Sequence, residues 1–107
     1  MRSTYDSFLH FFLLIAGYGL EQNYPNPFNP STVIRFSIPR DEYVELSVFN
    51  LTGQRIAELI STRLNSGTHT LEWDGRDVQG RMVPSGIYLY RLTAESFSET
   101  KRITLLK

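Results

Sequence analysis

From residue 32 onward, apolar side chains recur with a period of two, which is the mark of strands that bury one face. Ile34, Phe36 and Ile38 share one face, Val33, Arg35 and Ser37 take the other, and Pro39 ends the run. Asp41 and Glu42 read as a polar turn, after which Val44, Leu46 and Val48 alternate with Glu45, Ser47 and Phe49. Asn50-Leu51-Thr52-Gly53 has hairpin-loop chemistry, Gly53 supplying the positive φ that such loops need. Arg55 to Leu64 fits a strand or a short helix by pattern alone, and its place between turn signals favours a strand. Asn65-Ser66-Gly67 turns the chain, and Thr68 to Asp74 follows with Leu71 and Trp73 facing in and Glu72 and Asp74 out. Residues 74–86, rich in glycine, form an irregular loop. Ile87 to Leu92 is apolar on both faces, as expected of a central strand covered on both sides. A turn over Glu95 to Glu99 leads to a last strand, Lys101 to Lys107, with Ile103 and Leu105 on one face and Thr104 and Leu106 on the other. Strands at intervals of about 8–12 residues predict an all-β fold, an immunoglobulin-like antiparallel β-sandwich of six to seven strands.

Ahead of the first long strand lies NYPNPFNPST, residues 23–32, with three prolines and three asparagines in ten positions. Proline fixes φ and has no N–H. Pro25, Pro27 and Pro30 each push the residue before them, Tyr24, Asn26 and Asn29, toward extended backbone. The segment predicts a stiff, non-helical strap over residues 20–31, entering a sandwich of residues 32–107. Residues 1–19 are expected to stay outside that core. Within them, Phe8 to Ala16 is apolar except for His10, and as a helix would span about 14 Å. That falls short of the roughly 30 Å hydrocarbon core of a membrane. Its length suits the apolar region of a signal peptide, with Arg2 before it and Gly17-Tyr18-Gly19 as a small-x-small site, although Asp6 counts against this. The remnant of an upstream domain, or a misplaced gene start, fits equally well.

At 107 residues the chain has room for one domain with a modest core. Eleven basic and eleven acidic residues cancel, and no basic block stands out, which speaks against a nucleic-acid partner. The lack of cysteine excludes a disulfide scaffold, thiolate zinc sites and a cysteine nucleophile. Two histidines, His10 and His69, and no G-x-S-x-G element leave a serine triad nothing to stand on. Glu72 and Asp74 lie two apart on one strand face, about 7 Å between Cα atoms. Such a pair can serve an inverting glycosidase if it flanks a sugar cleft, but here it reads as a solvated face. Asp74 and Asp77 sit in a glycine-rich loop without the spacing of a calcium loop, so they are expected to bond their own loop backbone. No metal and no cofactor are expected. Asn50-Leu51-Thr52 has the form of a glycosylation acceptor, a match too short to carry weight. Trp73, Tyr88 and Tyr90 could stack a base or a sugar, but aromatics at alternating strand positions are usually core. Lys101, Arg102 and Lys107 read as edge-strand gatekeepers against aggregation.

LEQNYPNPFNPSTVIRFSIP, VELSVFNLTGQRIAEL, SGTHTLEWDGRDVQGRMVPSGIYLYRLTAE and KRITLLK occur in this order. Together they resemble the type A C-terminal sorting domain of the type IX secretion system of Bacteroidota, over residues 20–107. The same core is similar to the Ig-like domain of the flagellar hook-capping protein. The resemblance implies a non-catalytic β-sandwich attached to a cargo, read by the type IX translocation machinery and then removed by a sortase-like peptidase. It places the Pro-Ser-Gly-x-Tyr element on Pro84, Ser85, Gly86 and Tyr88, and the basic recognition elements on Lys101, Arg102 and Lys107. It implies cleavage near residues 17–24, a strap (Tyr24, Pro25, Pro27, Pro30) acting as spacer, and passage through the periplasm to the cell surface or medium. The competing expectation is a structural Ig-like spacer, or an assembly module of a surface or hook-cap-like protein.

Overall fold

A computed structural model describes residues 17–107. It contains seven strands: β1 Gly19–Leu20, β2 Thr32–Ile38, β3 Glu42–Phe49, β4 Arg55–Leu64, β5 Gly67–Trp73, β6 Gly86–Ala94 and β7 Phe97–Leu105. They form two antiparallel sheets, β1-β2-β5 and β4-β3-β6-β7, with no helix among the described residues. The expected immunoglobulin-like sandwich is the observed fold, and Arg55–Leu64 is a strand, paired to β3 with two register shifts.

The core is built from the in-phase positions of each strand. Ile34, Phe36 and Ile38 of β2 face Val44, Leu46 and Val48 of β3, with Tyr90, Leu92, Ile103 and Leu105 behind them, all buried. Alternation dictates this: a strand turns every second side chain to the same face. The β3–β4 hairpin closes as its sequence predicts. Asn50 Oδ1 accepts the N–H groups of Thr52 and Gln54 at 3.1 and 2.9 Å, and Gly53 takes φ +90°. The Asn65–Gly67 turn carries the chain from one sheet to the other, since β4 and β5 belong to different sheets.

Four expectations are corrected. Glu42 is no turn residue; it opens β3 in phase with Val44 and is fully buried. The β6–β7 turn is only Glu95-Ser96, and β7 begins at Phe97. β6 is covered on one face: Tyr88, Tyr90 and Leu92 are buried, whereas Ile87 is 40% exposed and Leu89 half-buried. Lastly, the core does not begin at residue 32. Tyr18, Leu20 and Phe28 are all buried in it. The apolar stretch Phe8 to Ala16 lies outside the described residues.

Tyr18 seals one end of the sandwich. Its ring stacks on Phe97 at 4.8 Å, and its hydroxyl donates to the Glu42 carboxylate at 3.0 Å. The same carboxylate accepts the Glu95 N–H at 3.0 Å and faces Arg40 at 3.5 Å. A buried charge needs such partners. Burial, then the hydrogen bond to Glu42, pushes the Tyr18 phenol above its ordinary pKa. Gly17, at φ +85°, lies against Pro39, where a Cβ would come within 3.0 Å of the proline side chain.

Candidate functional site

The strap is not held off from the sandwich; it is part of it. Pro25, Pro27 and Pro30 are exposed, as is Tyr24, while Asn23 and Phe28 are the anchors. All three X–Pro bonds are cis. The Tyr24 N–H and C=O exchange hydrogen bonds with Val33, both at 2.9 Å. Asn23 is buried and spends its N–H and its side-chain amide inside the fold. Its N–H donates to the Tyr90 hydroxyl at 2.9 Å, and its amide Nδ2 donates to the Pro25 carbonyl at 3.0 Å and to Thr32 Oγ1 at 2.9 Å. Its Oδ1 accepts from Gln22 Nε2 at 2.6 Å. Tyr90 completes the node by donating to the Glu21 carbonyl at 2.6 Å. Burial pushes the Tyr90 phenol up to about 12.

From Asn23 the strap crosses to the open edge of β7. Gln22 Nε2 donates to the Arg102 carbonyl at 2.7 Å, and the Thr104 N–H donates to Asn26 Oδ1 at 3.0 Å. The Phe28 N–H donates to the Thr104 carbonyl at 3.0 Å, and the Leu106 N–H donates to the Phe28 carbonyl at 3.1 Å. Phe28 thus pairs in parallel with the end of β7 while its ring tilts against Trp73 at 5.4 Å. An unpaired strand edge invites another chain to pair with it. Here the chain's own strap occupies that edge from Arg102 to Leu106.

The Pro-Ser-Gly-x-Tyr element meets the same end of the molecule. Pro84 is exposed, and its carbonyl accepts the hydroxyl of buried Tyr88 at 2.5 Å. Burial pushes that phenol up. Ser85 Oγ accepts the Lys107 N–H at 2.9 Å. Gly86 has φ +158°, a value that residues with a side chain rarely adopt, although a Cβ there would meet nothing closer than the Tyr88 ring at 4.0 Å. Tyr88 packs edge-on to Trp73 at 5.9 Å, and the indole N–H donates to the Arg76 carbonyl at 3.0 Å. Trp73, Tyr88 and Tyr90 are therefore core side chains rather than a stacking platform.

The basic element is split. Lys101 pairs across the ladder with buried Tyr90, and Arg102 with Leu89, so the two side chains leave β7 on opposite faces. Lys101 meets Glu99 at 3.6 Å, and both line a groove of about 600 Å³ beside Tyr18 and Leu20. Arg102 is exposed on the outer face, and Lys107 is exposed beyond the end of β7. Parity along a strand carried this information, because neighbouring residues point to opposite faces.

The loop acids are used as expected. Asp74 Oδ1 accepts the Arg76 N–H at 3.2 Å, and Asp77 Oδ1 accepts those of Gln79 and Arg81 at 2.9 and 3.0 Å. The Arg81 N–H, ahead of that of Gln79, holds the Asp77 carboxyl below the usual carboxylate range. Among the described residues, no three His, Asp or Glu side chains cluster as metal ligands. Glu72 is exposed on the solvent side of β5.

Within residues 17–24, near which cleavage is expected, Gly19, Leu20, Glu21 and Tyr24 have their backbone paired to β2, and Asn23 is tied to Tyr90. A protease engages an exposed, unpaired backbone, and most of this stretch is paired.

A two-sheet sandwich carrying its own edge strap defines an Ig-like module. The chain belongs to the FlgD Ig-like domain family, which it matches over residues 30–98. It is 30% identical over 83 residues to the basal-body rod modification protein FlgD of Salmonella typhimurium. That match covers 78% of this chain but only 35% of the relative's length. Among solved structures, the fold is similar to latent PorU from Porphyromonas gingivalis, with TM-score 0.68 and 18% identity, over 85% of this chain and 10% of that one. PorZ, an essential surface component of the type IX secretion system of the same organism, gives 0.57 and 19%, over 89% of this chain and 12% of that one. FlgD from Xanthomonas campestris gives 0.57 and 17%, over 92% and 74%. At these identities the likeness is one of fold.

Proposed function

We propose that this Ig-like module is a non-catalytic sorting signal, directing an attached cargo through the type IX secretion system to the cell surface or medium. One observation carries the reading. The three sequence blocks behind the resemblance (the strap, Pro84–Tyr88 and the basic-apolar ending) converge at the end of β7, through Phe28 on Thr104 and Leu106 and through Ser85 on Lys107. Blocks that far apart in sequence make one surface only when folded, as a receptor reading a folded domain requires. The partners in this reading are the translocation machinery and its sortase-like peptidase. In this reading the peptidase cuts ahead of the paired stretch that begins at Gly19.

Family membership favours a second reading, in which the domain is an assembly module or spacer of the hook-cap kind. The deciding experiment fuses residues 17–107 behind a folded reporter with a Sec signal peptide, in a type IX-competent bacterium. Reporter at the surface or in the medium supports sorting. A reporter retained in the periplasm supports the assembly module instead. Within a secreted fusion, neutralising Arg102 and Lys101 separately tests the recognition role of each, because exposed charges contribute only about 0–1 kcal/mol to stability. Secretion unchanged in both variants would leave the basic residues as guards of the edge.

A further inference from the structure

We propose that the outer face of the four-stranded sheet, centred on Ile87, Leu89 and Phe49 and flanked by Arg91 and Arg102, is a docking surface for an acidic protein partner. The ladder brings these side chains together. Phe49 pairs with Leu89, Leu89 pairs with Arg102, and Ile87 lies one step along the same face of β6. The opposite parity of β3, β6 and β7 forms the core, and among the described residues nothing covers this strip. Ile87 is 40% exposed, and Phe49 and Leu89 are half-buried.

Its charges set it apart from the rest of the surface. Arg35, Arg40, Arg55, Arg76 and Arg81 each meet a carboxylate within 4.0 Å, the last at that limit. Arg63 donates to the Asp41 carbonyl. Among the described residues, the guanidinium groups of Arg91 and Arg102 have no such partner. Arg91 instead lies over the Phe49 ring, 4.4 Å from its centroid. A cation held on an aromatic face remains free to bind an anion on its other side. Of the acids on this face, Glu45 stands on β3 opposite Thr93, diagonal to Arg91, and Glu58 stands on β4. Glu45 is engaged by Arg55 at 3.2 Å, and Glu58 aligns with Ser47, two strands away from Arg91.

The β6–β7 half of the face is thus apolar and cationic in a chain whose formal net charge is zero. Its complement is a protein surface presenting an apolar side chain ringed by carboxylates. A second copy fits poorly, because a twofold axis through the strip would set arginine against arginine. Two cations are too few for the phosphate footprint of a nucleic acid. The inference goes beyond the sorting reading and holds for an assembly module as well.

The test is an amide-shift titration of the full chain with a peptide alternating aspartate and phenylalanine, beside its asparagine counterpart. Shifts should concentrate at Phe49, Ile87, Leu89, Arg91 and Arg102. Arg91→Glu with Arg102→Glu should weaken binding about tenfold or more, as should high salt. Lys101→Glu, on the other face, should change nothing. Melting temperatures keep any loss of binding distinct from a loss of fold. No binding would overturn the proposal, as would equal binding of the neutral peptide, or shifts spread evenly over Arg35, Arg63 and Lys101. Self-association of the chain abolished by Ile87→Asp would make the occupant a second copy and overturn it equally.

Discussion

The hydroxyl of Tyr90, on the inner face of β6, accepts the backbone N–H of Asn23 at 2.9 Å and so ties the strap to the opposite sheet. The same hydroxyl donates to the Glu21 carbonyl at 2.6 Å. Tyr90→Phe keeps the ring and strands both backbone groups, a loss of about 1–3 kcal/mol. The folded phenol titrates at about 12, above its ordinary value of 10.0, so the native state holds its proton longer than the unfolded chain. Its contribution is complete below pH 10 and is lost as pH rises from there toward 12. Denaturant melts across that range should show wild-type stability falling, with a shallower fall in Tyr90→Phe.

Phe28 distinguishes a strap that belongs to the core from one that only spaces. It is 1% exposed, and Phe28→Ala should cost about 3–5 kcal/mol. Pro27→Ala, at an exposed neighbour, should cost far less. Chemical denaturation of both variants measures the difference, and equal small losses would restore the spacer.

Tyr18 places the domain boundary. Residues 17–107 should melt more than about 10 °C above residues 20–107, because the shorter chain loses a buried aromatic worth about 3 kcal/mol. It also leaves the Glu42 carboxylate without its phenol. Coincident melting curves would put the boundary at residue 20 after all.

Asp74 and Asp77 should hold their loop without a cation. Chelator should leave the melting temperature unchanged, and Asp77→Ala should lower it by freeing the N–H groups of Gln79 and Arg81. Because the native Asp77 carboxyl titrates low, its contribution is present at neutral pH and disappears as pH falls through that lowered value. A rise of several degrees in millimolar calcium, absent from the double Asp→Ala variant, would make the loop a cation site.

Strands β2 and β3 were legible because each carries three apolar residues in phase, Ile34, Phe36 and Ile38 in one and Val44, Leu46 and Val48 in the other, and the β3–β4 hairpin because Asn50 and Gly53 carry local turn chemistry. Tertiary relationships were not. Asn23 reads as a turn former, and nothing near it in sequence announces Thr32 and Tyr90 as its partners. Phe28 is one apolar residue among prolines, too few to show a period. Glu42 was in phase with Val44 and Leu46, but a carboxylate at a strand end reads as solvent-facing unless Tyr18 is known to meet it. Of the candidate site, the separate blocks were visible while their convergence was not, since it depends on a strap that doubles back along the last strand.

The parallel pairing of Phe28 with the end of β7 also fixes how the domain carries tension. A pull between Gly17 and Lys107 draws the strap and β7 in opposite directions along their paired length. The Phe28 N–H to Thr104 bond and the Leu106 N–H to Phe28 bond are then loaded together, in shear, instead of opening one after the other like a zipper. A load applied between Gly17 and Lys107 therefore meets, beyond the β1–β2 pairing, a mechanical clamp formed by the strap and the last strand.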